Sequence, residues 1–202
     1  MNSATQRLTV AGPAGTIECA VDAQAGEPCG VVVVCHPHPL HGGTMDNKVV
    51  QTLARAFVQR GWRSVRFNFR GIGASAGAWD EGRGEIDDAV AVIAACRESA
   101  LPLALAGFSF GGYVATQAAA RVAATAAAER IVLVAPAVVS FEAAPVPQDS
   151  LVIHGEADDV VPLSAVLAWA RPQVLPVTVV PGTGHFFHGQ LPLLKQLVTR
   201  SL

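Results

Sequence analysis

Charged residues are scarce in this chain, and their scarcity excludes several classes of protein. Asp, Glu, Lys and Arg together make up 15% of the 202 residues, whereas coiled coils and disordered chains carry a much larger charged fraction. The 14 basic residues are scattered rather than clustered, so nothing in the sequence indicates a nucleic-acid partner. Hydrophobic residues make up 51%, and we expect a single domain over residues 1–202 with its own core.

The sequence also lacks cysteines at the spacings typical of metal sites or disulfide frameworks. The cysteines stand at four positions, Cys19, Cys29, Cys35 and Cys96. No Cys-x-x-Cys pair occurs, and residues 1–7 carry no apolar segment of the kind found in signal peptides. These features predict reduced thiols and a cytoplasmic location.

One uncharged run is long enough for a membrane helix, but its composition argues against that structure. Residues 99–120 carry no charge and have the length of a bilayer-spanning segment. Pro102, Ser109 and the Gly111-Gly112 pair lie within this run. Such residues fit a strand, a tight turn and a helix of a protein core better. We therefore expect no membrane partner.

Apolar β-branched runs alternate with segments of helical period along the chain. Residues 30–35, Gly-Val-Val-Val-Val-Cys, are typical of a strand buried on both faces. The predicted strands cover residues 7–11, 16–21, 30–35, 64–69, 103–108, 131–135, 151–154 and 177–180, and the predicted helices 47–59, 85–98, 111–128, 162–170 and 189–202. This alternation predicts an α/β fold whose mostly parallel, twisted sheet has helices on both faces. Ligands of such sheets bind beyond the carboxyl ends of the strands.

One loop after a predicted strand has the pattern of a nucleophile turn. Gly107-Phe108-Ser109-Phe110-Gly111 follows the strand at 103–108 and opens a helix. A sharp turn here forces the central serine into strained backbone torsions, and the flanking glycines relieve the clashes. The following helix directs the positive end of its dipole at the site, which favours a developing oxyanion. Ser109 is therefore the candidate nucleophile.

Two later loops after strands carry carboxylates and an imidazole. Asp158 and Asp159 follow the strand at 151–154, and His185 follows the strand at 177–180. A carboxylate in the first loop orients an imidazole that serves as general base. Either aspartate fits this role, and at least one of them has only the turn chemistry that Asp favours. Ser, Asp, His, each after a separate strand, is the chain order of the α/β-hydrolase triad.

Five motifs follow one another in the chain: CHPHPLHGGTMDNKVV, RFNFRGIGASAG, GFSFGGY, HGEADDVVP and GTGHFFHG. In this order they resemble the motifs of compact bacterial serine α/β-hydrolases related to dienelactone hydrolase. The resemblance covers nearly the whole chain and implies an α/β-hydrolase fold. It also implies that Ser109 is the nucleophile, Asp158 the acid and His185 the base. Dienelactone hydrolases proper use a cysteine nucleophile, so serine at position 109 points to a serine esterase.

The loop from Cys35 to Gly43 is expected to supply the second oxyanion-hole N–H, beside that of Phe110. Proline has no N–H, so His38 is the first candidate and Leu40 the second. A rival interpretation takes the His-x-His-x-x-His run as a metal site. The histidines of this run are His36, His38 and His41. For His36 we favour a hydrogen-bonded structural role.

Three further expectations concern the surroundings of the site. The span 135–150 is short and contains three prolines, so we expect no cap domain and a site open to solvent. We expect Arg70 to hold its own loop through backbone carbonyls, with a substrate carboxylate as the alternative partner. Aromatic surface near the site is expected from four residues, of which the first is also expected in the core: Phe108, Phe110, Phe186 and Phe187.

These observations together predict a serine hydrolase. It cleaves a small ester or thioester through an acyl-enzyme, without a cofactor. The expected partner is this small acyl substrate, and the expected assembly is a monomer or homodimer. Two alternatives stay open: a metal-dependent hydrolase at the histidine run, and a hydrolase-like protein that binds without catalysis.

Overall fold

The computed structural model describes residues 5–202, which contain one eight-stranded sheet. Its strands are β1 Gln6–Gly12, β2 Gly15–Asp22, β3 Val31–Cys35, β4 Arg63–Phe67, β5 Leu103–Phe108, β6 Arg130–Val134, β7 Leu151–Gly155 and β8 Val177–Val180. They lie in the order β1-β2-β4-β3-β5-β6-β7-β8. The β1–β2 hairpin joins β4 in antiparallel pairing, and all neighbours from β4 to β8 are parallel. The predicted α/β fold is confirmed.

Helices cover both faces of this sheet. They are α1 Lys48–Gln59, α2 Arg83–Cys96, α3 Phe110–Ala126, α4 Leu163–Ala170 and α5 Leu191–Ser201. One apolar core lies between the sheet and α1 with α5, and a second lies between the sheet and α2, α3 and α4. Across residues 5–202, no helix combines the length and the apolar character needed to cross a bilayer.

The valine run of β3 follows from its place in the centre of the sheet. Val31 and Val33 belong to the core under α2 and α3, whereas Val32 and Val34 belong to the core under α1 and α5. All four side chains are fully buried. Because successive side chains of a strand point to opposite faces, a strand covered on both sides needs an apolar residue at every position.

Strand β4 ends at Phe67, two residues before the predicted end, because the next two residues bind the loop after β3. The side-chain oxygen of Asn68 accepts a hydrogen bond from the N–H of Met45 (2.9 Å). The N–H of Phe69 donates to Nε2 of His36 (3.1 Å). These two contacts fix the chain on either side of the predicted oxyanion loop.

Helix α2 begins two residues earlier than predicted, and its capping residue explains the difference. Glu85 was the predicted first residue, but its carboxylate instead binds the chain that enters the helix. It accepts hydrogen bonds from the N–H of Gly82 (2.8 Å) and the N–H of Asp80 (3.0 Å). These bonds satisfy donors that a helix start otherwise leaves unpaired, so the first turn forms before Glu85.

The expected contact of Arg70 with backbone carbonyls is wrong. Its guanidinium instead pairs with Asp88 of α2, at 3.0 Å from Nε to Oδ2 and 2.8 Å from Nη2 to Oδ1. The backbone N–H of Arg70 also donates to Oδ2 of Asp88 (3.0 Å). The carboxylate is almost fully buried, and the guanidinium lies over Gly84, where a Cβ atom would come within 1.9 Å of it. This pair fastens the loop after β4 to α2.

The buried Arg70–Asp88 pair predicts a large stability loss when only one partner is removed. In Asp88→Ala the guanidinium stays in a poorly solvated place without its counter-charge, so we expect the free energy of unfolding to fall by about 3–5 kcal/mol. Urea unfolding followed by circular dichroism measures this change.

The adjacent Asp87 offers a matched control, because it pairs with Arg121 where both side chains are about half exposed. Asp87→Ala should lower the free energy of unfolding by about 1 kcal/mol or less. Equal losses in the two variants would contradict the assignment of the Arg70 pair as a buried anchor.

Candidate active site

Ser109 lies in a strained turn between β5 and α3, as its motif predicts. Its φ and ψ are 56° and −120°, a conformation that non-glycine residues rarely adopt. The backbone around it packs too closely for side chains. A Cβ atom on Gly107 would lie 2.1 Å from the carbonyl oxygen of Gly111, and one on Gly111 would lie 2.2 Å from that of Cys35. Both glycines are therefore required for this turn.

A chain of two hydrogen bonds connects the three predicted side chains. The hydroxyl of Ser109 lies 3.0 Å from Nε2 of His185, and Nδ1 of His185 lies 2.7 Å from Oδ2 of Asp158. The three residues come from the carboxyl ends of β5, β8 and β7, and all are buried. Since a carboxylate only accepts, Nδ1 of His185 carries a proton that it donates to Asp158, and Nε2 is left to accept the hydroxyl proton.

Asp158 both contacts the imidazole and forms the turn, the two roles considered above for Asp158 and Asp159. Its Oδ2 atom binds His185, while Oδ1 accepts the N–H groups of Val160 (2.9 Å) and Val161 (2.8 Å) in a tight turn. Asp159 is exposed and its carboxylate accepts no hydrogen bond from residues 5–202. The structure thus brings Asp158, and not Asp159, to the imidazole.

The charge of Asp158 is stabilised despite its burial. Burial by itself raises the pKa of this carboxyl group, but the hydrogen bonds from His185, Val161 and Val160 outweigh that effect, and the pKa lies below its usual value. Asp158 is therefore ionised throughout the neutral range, where it can both orient the imidazole of His185 and stabilise its cationic form.

A second histidine, which the sequence analysis did not single out, lies beside this carboxylate. Nε2 of His154 is 2.9 Å from the carbonyl oxygen of Val161 and 3.4 Å from Oδ2 of Asp158. The ring is fully buried, and burial lowers its pKa, so it is neutral with its proton on Nε2. His154 therefore braces the turn that holds Asp158. In the sequence, the feature that could have identified His154 is its place as the first residue of HGEADDVVP, four residues before Asp158.

The two residues expected to supply the oxyanion hole are His38, in the loop after β3, and Phe110, the first residue of α3. Among the described residues, the backbone N–H groups of His38 and Phe110 make no hydrogen bond. The N–H of Leu40, the second candidate, instead donates to Nδ1 of His38 (3.3 Å). The rings of His38 and Phe110 are 5.2 Å apart, so the two loops contact each other.

The histidine run does not gather three imidazoles around one point. His36 is fully buried with both ring nitrogens in use: Nδ1 donates to the carbonyl of Pro37 (2.6 Å) and Nε2 accepts from Phe69. Burial lowers the pKa of His36 to about 4, so the ring is neutral. Within residues 5–202, no cluster of three or more His, Cys, Asp or Glu side chains is arranged to hold a metal ion. His36 has the structural role expected of it.

Aromatic side chains surround the site, although not all of the expected ones are accessible. Of the four phenylalanines, Phe186 alone is exposed, and its ring lies 5.1 Å from that of His185. Phe108 packs in the core 5.0 Å from the same ring. Trp79 was not among the expected residues, and its ring lies 4.5 Å from that of His38. The loop after β4 brings Trp79 there, and no local motif marks it.

The segment 135–150, where other hydrolases carry an inserted cap, contains no helix or strand. It is fixed to the body of the protein along its length. The N–H of Ala137 donates to the carbonyl of Ser109 (3.0 Å), and the N–H of Ala144 donates to the hydroxyl of Thr116 (3.0 Å). The expectation of a fold without a cap domain is confirmed.

Comparison with known proteins gives the same architecture. A solved serine hydrolase without a lid, from Xanthomonas campestris, is 39% identical, with a TM-score of 0.88 over 98% of this chain and 93% of that one. An α/β serine hydrolase homologue from Coxiella burnetii is 38% identical, with a TM-score of 0.82 over 98% of this chain and 97% of that one. An uncharacterized protein from Rickettsia prowazekii is 31% identical over 87% of this chain and 79% of its own length.

A family model matches residues 26–150, which include the oxyanion loop and the serine turn. The model bears the description serine aminopeptidase, S33. The match ends before Asp158, so Asp158 and His185 lie in the part of the chain beyond it. This match, the similar solved structures and the fold agree. The chain therefore belongs to the serine aminopeptidase S33 family of α/β serine hydrolases.

Proposed function

We propose that the protein hydrolyses small esters or thioesters through a covalent acyl-serine intermediate. The observation that carries the proposal is the hydrogen-bond chain from Ser109, in its strained turn, through His185 to Asp158. All three side chains come from one chain, so either a monomer or a homodimer can act. The proposed setting is the cytoplasm, with neither a cofactor nor a nucleic acid taking part.

Acylation begins when His185 removes the proton of Ser109. The hydroxyl oxygen attacks the substrate carbonyl carbon while Nε2 takes the proton, and a tetrahedral intermediate forms. The imidazole becomes a cation, which the ionised Asp158 stabilises at 2.7 Å. His185 then gives its proton to the departing alcohol or thiol as the carbon–oxygen or carbon–sulfur bond breaks. The acyl group is left on Ser109.

The free N–H groups of Phe110 and His38 are proposed to hold the negative oxygen of the intermediate. These two N–H groups need no reorganisation during the reaction, because the strained turn and the loop after β3 fix the backbone at both residues. Phe110 is also the first residue of α3, whose aligned peptide dipoles favour negative charge at this end. Removing one such donor typically costs on the order of 3 kcal/mol in the barrier.

Deacylation repeats these steps with water as the nucleophile. His185 takes a proton from the water as the water oxygen attacks the acyl carbon. When the second tetrahedral intermediate collapses, the imidazolium returns its proton to Ser109. A carboxylic acid leaves and the free enzyme is restored.

Replacing the nucleophile should abolish activity without unfolding the protein. For Ser109→Ala we expect kcat for p-nitrophenyl acetate to fall by on the order of 10⁶-fold, because no acyl-enzyme can form. Labelling by a fluorophosphonate probe should disappear as well. Ser164→Ala, at an exposed serine of α4, is the matched control and should retain both signals.

The same experiment tests the alternative of a binding protein without catalysis. Folded wild-type protein that neither hydrolyses the ester nor reacts with the probe would overturn the proposed function.

The two neighbouring aspartates should respond very differently to the same small change. Asp158→Asn should lower kcat by about 10⁴-fold, since an amide facing Nδ1 of His185 favours the wrong tautomer. Asp159→Asn should leave kcat within about twofold, because its side chain points into solvent. Steady-state kinetics of the two variants, with circular dichroism to verify folding, makes the comparison. A larger loss in Asp159→Asn would show that the acid has been assigned to the wrong residue.

A further inference from the structure

Exposed apolar side chains are concentrated in the loops that carry the proposed site. Eight large hydrophobic side chains of the described residues are exposed, and four of these lie in loops after strands. We call these four the apolar rim: Leu40 (65% exposed), Val139 (60%), Val160 (55%) and Phe186 (47%). Single exposed apolar residues are ordinary, but a group around one site indicates binding.

Two members of the apolar rim are fixed directly to the proposed catalytic residues. The N–H of Val160 donates to Oδ1 of Asp158 (2.9 Å). Phe186 follows His185 in the chain, and their rings are 5.1 Å apart in an edge-to-face arrangement. Val160 and Phe186 are thus attached to the residues proposed as the acid and the base.

The other two members lie in segments that contact the serine turn. The N–H of Leu40 donates to Nδ1 of His38, the proposed oxyanion donor. Val139 lies two residues after Ala137, whose N–H donates to the carbonyl oxygen of Ser109 (3.0 Å). Each member of the apolar rim is thus at most two residues away from a residue that contacts or forms the site.

The strand order places the apolar rim on both sides of Ser109. Leu40 follows β3, whereas Val139, Val160 and Phe186 follow β6, β7 and β8. In the sheet, β5 with its serine lies between β3 and β6. No cap covers these side chains, and none of the four carries a charge. The exposed carboxylate of Asp159 precedes Val160, but the four rim side chains themselves offer apolar surface to a hydrocarbon group.

We propose that the apolar rim binds the hydrocarbon chain of the substrate, so that the preferred substrates are esters of medium-length fatty acids. This inference rests on the proposed function, because the chain must belong to an acyl group that Ser109 accepts. A chain of several methylenes that leaves Ser109 can bury its surface against apolar side chains on either flank. An acetyl group offers only one methyl group to such contacts.

The test compares kcat/KM for p-nitrophenyl octanoate and p-nitrophenyl acetate, both below the concentration at which octanoate forms micelles. A fully buried methylene contributes up to about fourfold in affinity. Because contact with an open rim is partial, we expect an octanoate-to-acetate ratio of at least about tenfold in the wild type. The ratio should fall by about fivefold or more in the double variant Leu40→Ser with Val139→Ser.

Val174 supplies the matched control. It is the most exposed of the eight apolar side chains (74%). Because it precedes β8, it lies at the amino ends of the parallel strands, whereas Ser109 lies at their carboxyl ends. Val174→Ser should leave the octanoate-to-acetate ratio unchanged.

The outcomes separate the inference from the proposed function. If Ser109 supports acetate hydrolysis but the ratio is near one, or is the same in the double variant, the rim inference is wrong and the proposed function stands. If neither ester is hydrolysed and the fluorophosphonate does not label Ser109, both are overturned.

Discussion

The direct contact between the first turn of α3 and the end of β3 determines the geometry of the whole site. At Gly111 a Cβ atom would lie 2.2 Å from the carbonyl oxygen of Cys35, so the two backbones meet with no side chain between them. This contact requires the sharp turn that holds Ser109 at a positive φ, a strain of about 1–3 kcal/mol that the surrounding packing must offset. Phe110 and His38, whose N–H groups are free, both lie at the carboxyl ends of these two neighbouring parallel strands. The positions of the proposed nucleophile and of its proposed oxyanion donors thus depend on one backbone contact.

Polar anchors hold the loops that meet at this contact. Arg66, which is nearly buried in β4, donates to the carbonyl oxygen of Met45 (2.9 Å) and to Oδ1 of Asp46 (2.9 Å). It also donates to the carboxylate of Asp22 on β2 (2.9 Å). Together with the bond from the N–H of Met45 to Asn68, these contacts fix the chain just after the oxyanion loop. Charged residues are scarce in the sequence, and Arg66 with its two aspartates is used to hold an irregular segment in one conformation.

The features that were predictable from the sequence are those with a local pattern. The valine run of β3, the glycines around Ser109 and the proline positions near His38 each constrain a few consecutive residues, and their consequences appear in the structure. Asp158 was distinguished from Asp159 only by a family motif, because both fit a turn and the choice depends on contact with a loop 27 residues away. The partner of Arg70 was missed for the same reason: Asp88 lies 18 residues on, inside a helix. Pairings of this kind depend on tertiary packing, which no single segment encodes.

The tethered segment 135–150 has a consequence for how the protein selects its ligands. The bond from Ala137 to Ser109 and that from Ala144 to Thr116 hold it in place, and a further bond joins Gln117 to the carbonyl of Glu142 (2.6 Å). A segment held by these bonds can fold over a ligand only if they break, so closure of segment 135–150 contributes little to discrimination. Enzymes that close over the correct substrate gain selectivity from that movement. For the proposed hydrolase, selection then depends on the shape and the side chains that the loops around Ser109 present before a ligand binds.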